Sequence, residues 1–150
     1  MEEIELTFEA APREEDLRVV RRGLISYNEA RLTDNSYDAF NLILRDREGT
    51  VVGGLLGNAY WGWLYVDVLW VSEALRGRGY GRRLLLAAEA AALEKGYHSV
   101  YLDTFDFQSP GFYQKLGYEV FGTLDNFAGN HTRYFLRKTL KEGMNRNDEG

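Results

Sequence analysis

The stretch LRGRGYGRRLLL, residues 75–86, places glycine at 77, 79 and 81, arginine at 76, 78, 82 and 83, and an apolar run directly behind them. Glycine lacks the side chain that would hold a ligand away from the backbone. Four arginines within eight residues repel one another unless an anion lies among them. A helix starting here exposes unpaired N–H groups and about half a positive charge. The combination predicts a loop that a phosphate-bearing anion approaches closely, with guanidinium forks suited to its oxygens. The competing reading is a glycine-softened turn with solvated arginines.

The rest of the composition narrows that anion. A chain of 150 residues fits one domain, here residues 1–140, with a polar tail over 141–150 expected to be flexible. The hydrophobic fraction of 45% and charged fraction of 27% are those of an ordinary globular chain. The absence of cysteine excludes disulfides, thiolate zinc sites and cysteine nucleophiles, and two histidines, His98 and His131, leave little for a metal. No metal is expected. The net charge of −5 argues against nucleic acid as a partner, so the basic loop suits a small anion. The opening MEEIELTF is acidic and lacks a signal peptide's basic and apolar regions, so none is expected there, and no apolar stretch reaches the ~20 residues of a membrane span. A cytoplasmic protein without a membrane partner is the expectation.

Along the chain, IELTFEA (4–10) reads as a first strand by its alternation. Pro12 opens a helical region with Glu14, Glu15 and Asp16 in its first turn and Leu17, Val20 and Leu24 at helical spacing. Gly23 and RLTDNS (31–36) are expected to split it into two short helices and a loop. FNLILRD and TVVGGLLGNAY form a hairpin around Gly49, and GWLYVDVLWV is the next strand. The helix RRLLLAAEAAALEKG ends at Gly96, SVYLDTF is a strand, SPGFYQKLG a short helix, and YEVFGTL and TRYFLRKTL are two late strands. The order β-αα-β-β-β-α-β-α-β-β predicts a mixed α/β fold with a right-handed crossover around the arginine loop. Ligands of such sheets bind near strand carboxyl ends and helix N-termini, where this loop lies.

Two familiar phosphate motifs fail here. No Gly-Lys-Ser/Thr is present for a P-loop, and the spacing of Gly77, Gly79 and Gly81 is wrong for a dinucleotide fingerprint. The pattern Arg76-x-x-Gly79-x-Gly81, five residues after Val71, closely resembles the [RQ]-x-x-G-x-[GA] signature of the GNAT superfamily of N-acetyltransferases. SPGFYQKLGYEVFG (109–122) resembles that family's second segment, and the element order is similar over about residues 4–138. The resemblance implies a GNAT-like fold whose central sheet splays, and acetyl-CoA as cofactor. Backbone amides from Gly77 through Arg78, Gly79, Tyr80 and Gly81 to Arg82 would wrap its pyrophosphate, and Val71 would pair with the pantetheine arm. Leu69, Trp70, Arg76, Ser109 and Phe112 complete the implied cofactor-binding set.

Acetyl transfer to an amine needs the neutral nucleophile, and an ammonium of pKa near 10.4 lies roughly 4–5 kcal/mol from that form at pH 7. Asp67, a lone acid in an apolar strand, is the leading general base, and alternation puts it on one face with Tyr65, Leu69 and Val71. Its position also resembles that of the base in several small-amine acetyltransferases of the family. The alternative reading has Asp67 orient a backbone group or bind the substrate ammonium. Tyr113 matches the family's tyrosine at the departing thiolate, where hydrogen bonding is assigned first and proton donation second. Where many members carry an asparagine seven residues before that tyrosine, this chain has Asp106, and Ser109 replaces a common alanine.

The resemblance draws the acceptor site from the first helical region and the late hairpin. Glu29, Asp34, Tyr65 and His131 are its candidates, with Asp38, Trp61 and Trp63 nearby in the sequence. A small-molecule primary amine, attacked directly in a ternary complex, is the expected acceptor. An idle acyl-CoA sensor is the alternative, and a homodimer through the late strands is compatible with the sequence.

Overall fold

The computed structural model describes residues 3–141. It divides into an N-terminal unit ending at Asn35 and a second unit beginning at Ser36.

The N-terminal unit contains one helix, α1 (Glu14–Glu29). Arg13 at its cap is extended, and it pairs with Glu15 at 2.8 Å and with Asp16 at 3.3 Å. The first-turn acids Glu14, Glu15 and Asp16 suit the positive end of the helix. Two expectations change here. Gly23 does not divide the helix, because its cost of about 1 kcal/mol relative to alanine is offset by the helix formers around it. Residues 4–10 are not a strand, since alternation alone supplies no neighbour with which to pair. The loop at 31–36 is present.

The second unit is one six-stranded mixed sheet. Its elements are β1 (Tyr37–Arg45), β2 (Val51–Tyr60), β3 (Trp63–Val71), α2 (Tyr80–Glu94), β4 (Ser99–Phe105), α3 (Pro110–Lys115), β5 (Glu119–Phe127) and β6 (His131–Thr139). The strand order is β1-β2-β3-β4-β6-β5, with the β3–β4 pair parallel and the others antiparallel. From β1 onward these elements follow the order expected from the sequence. The β1–β2 turn is closed by Asp46, whose Oδ1 accepts from the N–H groups of Glu48 and Thr50 at 2.9 Å each. The β2–β3 turn uses Trp61 and Gly62, both at positive φ (51° and 87°), as a tight right-twisting hairpin requires.

The core lies between the sheet and α2. Leu84, Leu85, Ala88 and Ala92 of α2 are buried against Leu55, Leu64, Val100, Leu102 and Leu136. Glu89 sits on that buried face too. Its carboxylate accepts from Lys138 Nζ at 2.8 Å and from the Tyr118 hydroxyl at 2.7 Å, so this buried acid is fully engaged. Burial, followed by the charge of Glu89, pushes the Tyr118 hydroxyl far above its usual range.

Candidate active site

The site begins with an irregularity in β3. Val66 faces Gly57 of β2 and Val68 faces Leu56, so Asp67 is the extra residue of a bulge. A Cβ on Gly57 would collide with the carbonyl oxygen of Tyr65, so glycine is required opposite this point. The bulge reverses the faces of the strand beyond it. Leu64 and Val66 lie in the core before it, and Leu69 and Val71 pack against the same core after it, while Val68 and Trp70 are exposed. Asp67 and Tyr65 therefore do not share a face with Leu69 and Val71 as alternation predicted. Period two holds only along an unbroken ladder.

Immediately beyond the bulge the sheet opens. The β3–β4 register runs from Trp63↔Ser99 to Val66↔Leu102 and stops there, although both strands continue. The two separated ends border a cleft of about 710 Å³, lined by Val66–Val71, Arg76, Leu102–Phe105, Phe107, Gln108, Ser109 and Tyr113. It brings together seven of the residues singled out from sequence: Asp67, Leu69, Trp70, Val71, Arg76, Ser109 and Tyr113.

The glycine–arginine loop follows β3. Arg76 folds back so that its Nε donates to the Val71 carbonyl at 3.0 Å. Gly77 and Gly79 adopt φ of 76° and 82°, where an L side chain is strained. Gly79 caps α2 without any side-chain hydrogen bond, and no acid lies in the first turn, so the helix start presents backbone to an incoming group. A side chain at Gly81 would touch the ring of Phe112 on α3. Arg82 and Arg83 line a separate groove beside Leu42 and Leu44, and Arg83 lies 5.4 Å over the Tyr80 ring. Their guanidinium groups are thus not among the walls of the cleft.

Tyr113 is buried, edge-on to Phe112 and Tyr118. Its hydroxyl is pushed up to about 12, by burial first and by the charge of Asp103 second. Asp103 is the residue that sequence reasoning missed. Its side chain is 14% exposed, its carboxylate accepts from the Tyr65 hydroxyl and from Arg133 Nε at 2.9 Å each, and Arg133 Nη2 is an ion-pair partner at 2.8 Å. Tyr65 is raised to about 12 by burial and then by its bond to Asp103. The signal was available, because Asp103 is a lone acid in SVYLDTF just as Asp67 is in LYVDVLWV. Nothing in the sequence singled out Arg133, which reaches Asp103 only because β6 pairs with β4.

The remaining predicted residues are elsewhere. His131 Nδ1 contacts Asp106 at 2.8 Å, and Asp106 also accepts from the Thr132 N–H at 3.0 Å. That backbone bond and His131 hold the Asp106 carboxyl below its usual range. Both acceptor oxygens of Asp106 are thereby engaged in tying β4 to the late hairpin. Tyr65 also joins Tyr60, Trp61, Trp63 and Tyr101 around a small aromatic hollow of about 230 Å³. His98 bonds Ser99 at 3.0 Å. Glu29 and Asp34 belong to the N-terminal unit, and Asp38 accepts from the Tyr97 hydroxyl at 2.6 Å. Among the described residues no group of three or more ligating side chains is placed to hold a metal, and no helix is long and apolar enough to cross a membrane.

With this geometry established, three comparisons bear on the chain. The model of the acetyltransferase (GNAT) family matches residues 3–118. A blasticidin-S acetyltransferase from Streptomyces morookaense is 43% identical over 93 residues, 61% of this chain and 68% of that one. An acetyltransferase from Agrobacterium fabrum is 33% identical over 121 residues, covering 81% of this chain and 88% of its own. Among solved structures, an acetyltransferase from Bacillus cereus superposes with a TM-score of 0.81 at 33% identity, covering 89% of this chain and 98% of its own.

Proposed function

The chain belongs to the acetyltransferase (GNAT) family, and on that premise we propose that it moves an acetyl group from acetyl-CoA to a primary amine of a small molecule, by direct attack in a ternary complex. The observation that carries this reading is the cleft, which opens at Val66 and Leu102 and is bordered by Arg76, just ahead of the glycine-rich start of α2. Residues 1–140 are taken as the catalytic domain. The end of the tail, 142–150, lies outside the described residues.

The residues present fit coenzyme A. Left-handed Gly77 and Gly79 and an uncapped helix start suit a diphosphate, and separated strand ends offer unpaired backbone to an amide-bearing arm. In this reading, backbone groups from Gly77 to Arg82 hold the diphosphate. Leu69, Trp70 and Val71 align the arm, and Ser109 and Phe112 flank it. When bound, the thioester supplies an activated acetyl group.

Within the cleft, Asp67 and Asp103 form an acidic wall that attracts a cationic acceptor. Asp103 is committed to Tyr65 and Arg133, while no hydrogen bond or ion pair engages the Asp67 carboxylate among the described residues. Asp67 is therefore the group that takes the ammonium proton, directly or through water, or that binds the ammonium. Tyr113, at about 12, lies some 3.5 units above a thiol near 8.5. Full proton donation would be uphill by about 5 kcal/mol, so Tyr113 acts as a hydrogen-bond donor to the departing sulfur. A small-molecule acceptor is supported by the relative named for blasticidin S.

Calorimetric titration with acetyl-CoA, beside Gly79→Glu, tests this reading. Binding near micromolar, worth about 8 kcal/mol, should vanish in the variant, and thiol release should follow addition of an amine panel. Binding that survives Gly79→Glu would refute the placement of the diphosphate.

A further inference from the structure

Tyr113 sits on α3, a helix of six residues, too short to hold its own orientation by helical bonding alone. Among the described residues no hydrogen bond restrains its hydroxyl. Its ring packs edge-on to those of Phe112 and Tyr118, with centroids 5.1 and 6.0 Å away. The Tyr113 carbonyl also accepts from the Tyr118 N–H at 3.1 Å, which ties the end of the helix to that neighbour. Where the Tyr113 hydroxyl points is therefore decided by whatever fixes the two flanking rings.

Both rings are anchored to α2, the helix that begins at the glycine–arginine loop. Phe112 lies against Gly81 in its first turn, where an added Cβ would come within 3.4 Å of the ring. About 12 Å further along α2, at 1.5 Å per residue, the Glu89 carboxylate accepts from the Tyr118 hydroxyl at 2.7 Å. Burial holds that hydroxyl in its protonated form, so it remains a donor. Lys138, reaching in from β6, places its Nζ 2.8 Å from Glu89 and 5.5 Å over the Tyr118 ring. Glu89, Tyr118 and Lys138 are all buried, and every group in this chain of contacts belongs to the second unit.

We propose that Glu89 and Tyr118 are positioning residues for the reaction: their hydrogen bond, braced by Lys138, sets the ring against which Tyr113 packs and so aims the Tyr113 hydroxyl at the departing sulfur. The inference rests on the acetyl-transfer reading for the role of Tyr113. It gives α2 two tasks, since the helix whose start meets the diphosphate also holds, through Phe112 and Tyr118, the residue that meets the thioester. A buried ion pair stabilises a fold no better than apolar packing of the same shape. A hydrogen bond, unlike apolar packing, has a direction, and aiming a hydroxyl requires one.

Thiol release, acetyl-CoA calorimetry and urea unfolding of full-chain variants test this. Tyr118→Phe removes only the hydroxyl and should lower kcat roughly tenfold, short of the about 10²-fold that a 1 Å misplacement can cost, with acetyl-CoA affinity unchanged. In a Tyr113→Phe background the same substitution should change kcat by about twofold or less, because residues that act through one group are not additive. A full further loss there overturns the proposal. Glu89→Leu/Lys138→Met separates aim from stability: its urea midpoint should recover relative to Lys138→Met while kcat stays as low as in Tyr118→Phe. Turnover that returns together with stability refutes the positioning role. A native chain that binds no acetyl-CoA, or turnover indifferent to Tyr113→Phe, defeats the acetyl-transfer reading itself, whereas Tyr113-dependent turnover that ignores Tyr118→Phe defeats the positioning alone.

Discussion

Replacing Asp103 by Asn removes one charge from the centre of a three-residue network while preserving its shape. In the native protein the carboxylate accepts two hydrogen bonds, from the Tyr65 hydroxyl and from Arg133 Nε at 2.9 Å each, and Arg133 Nη2 lies 2.8 Å from it as an ion pair. The amide oxygen still accepts, but its nitrogen faces a donor, so at least one charge-assisted bond, worth about 1.5–3 kcal/mol, is lost. Arg133 is 31% exposed and recovers part of its hydration, which keeps the cost below the 3–5 kcal/mol of a fully buried broken pair. A loss of about 2 kcal/mol lowers the thermal midpoint of a chain this size by roughly 4–8 °C. The same charge raises both Tyr65 and Tyr113, so both hydroxyls should ionise at lower pH in the variant, with Tyr65 shifting more because it also loses a hydrogen bond. Phenolate absorbance during alkaline titration reads the second effect and thermal unfolding reads the first. If neither moves, Asp103 does not organise this side of the cleft.

The other predictions address proton chemistry and the core. Asp67→Asn should lower kcat at neutral pH by roughly 10²-fold or more, with partial recovery as pH approaches that of the free amine, if Asp67 removes the proton; a rise in KM at constant kcat would instead mark it as an ammonium binder. Tyr113 has a folded pKa above its unfolded value near 10, so its contribution is complete below pH 10 and is lost as pH rises toward 12, by about 3 kcal/mol at most. Tyr113→Phe should flatten that alkaline loss, measured as denaturant midpoints against pH, and should lower turnover while leaving coenzyme A affinity nearly unchanged. Lys138→Met removes the ion-pair partner of the Glu89 carboxylate, which is 3% exposed and keeps only its Tyr118 hydrogen bond, and should cost about 3–5 kcal/mol. Adding Glu89→Leu should recover much of that loss in urea unfolding, and no recovery would show that the ion pair itself, and not the stranded charge, dominates.

Which parts of this molecule were legible in the sequence follows from how local their causes are. The hairpin at Gly49, the helix stop at Gly96 and the loop at Gly77 and Gly79 each depend on a backbone conformation that glycine permits, and all four residues take positive φ. Elements whose partners are adjacent in sequence were likewise placed within a few residues. What stayed hidden depends on pairing across the chain. The bulge at Asp67 exists because β2 offers one residue too few opposite it, and no property of LYVDVLWV declares that shortage. Arg133 becomes a neighbour of the cleft's Asp103 only through β4–β6 pairing, and Glu89, within AAEAAALE, reads as a solvated helix acid until Lys138 on β6 and Tyr118 just before β5 reach it. The segment at 4–10 fails in the opposite sense, since its alternation is strong but no paired strand results. Period two states only that a segment can serve as a strand; whether it does so is decided by a neighbouring edge with which to pair.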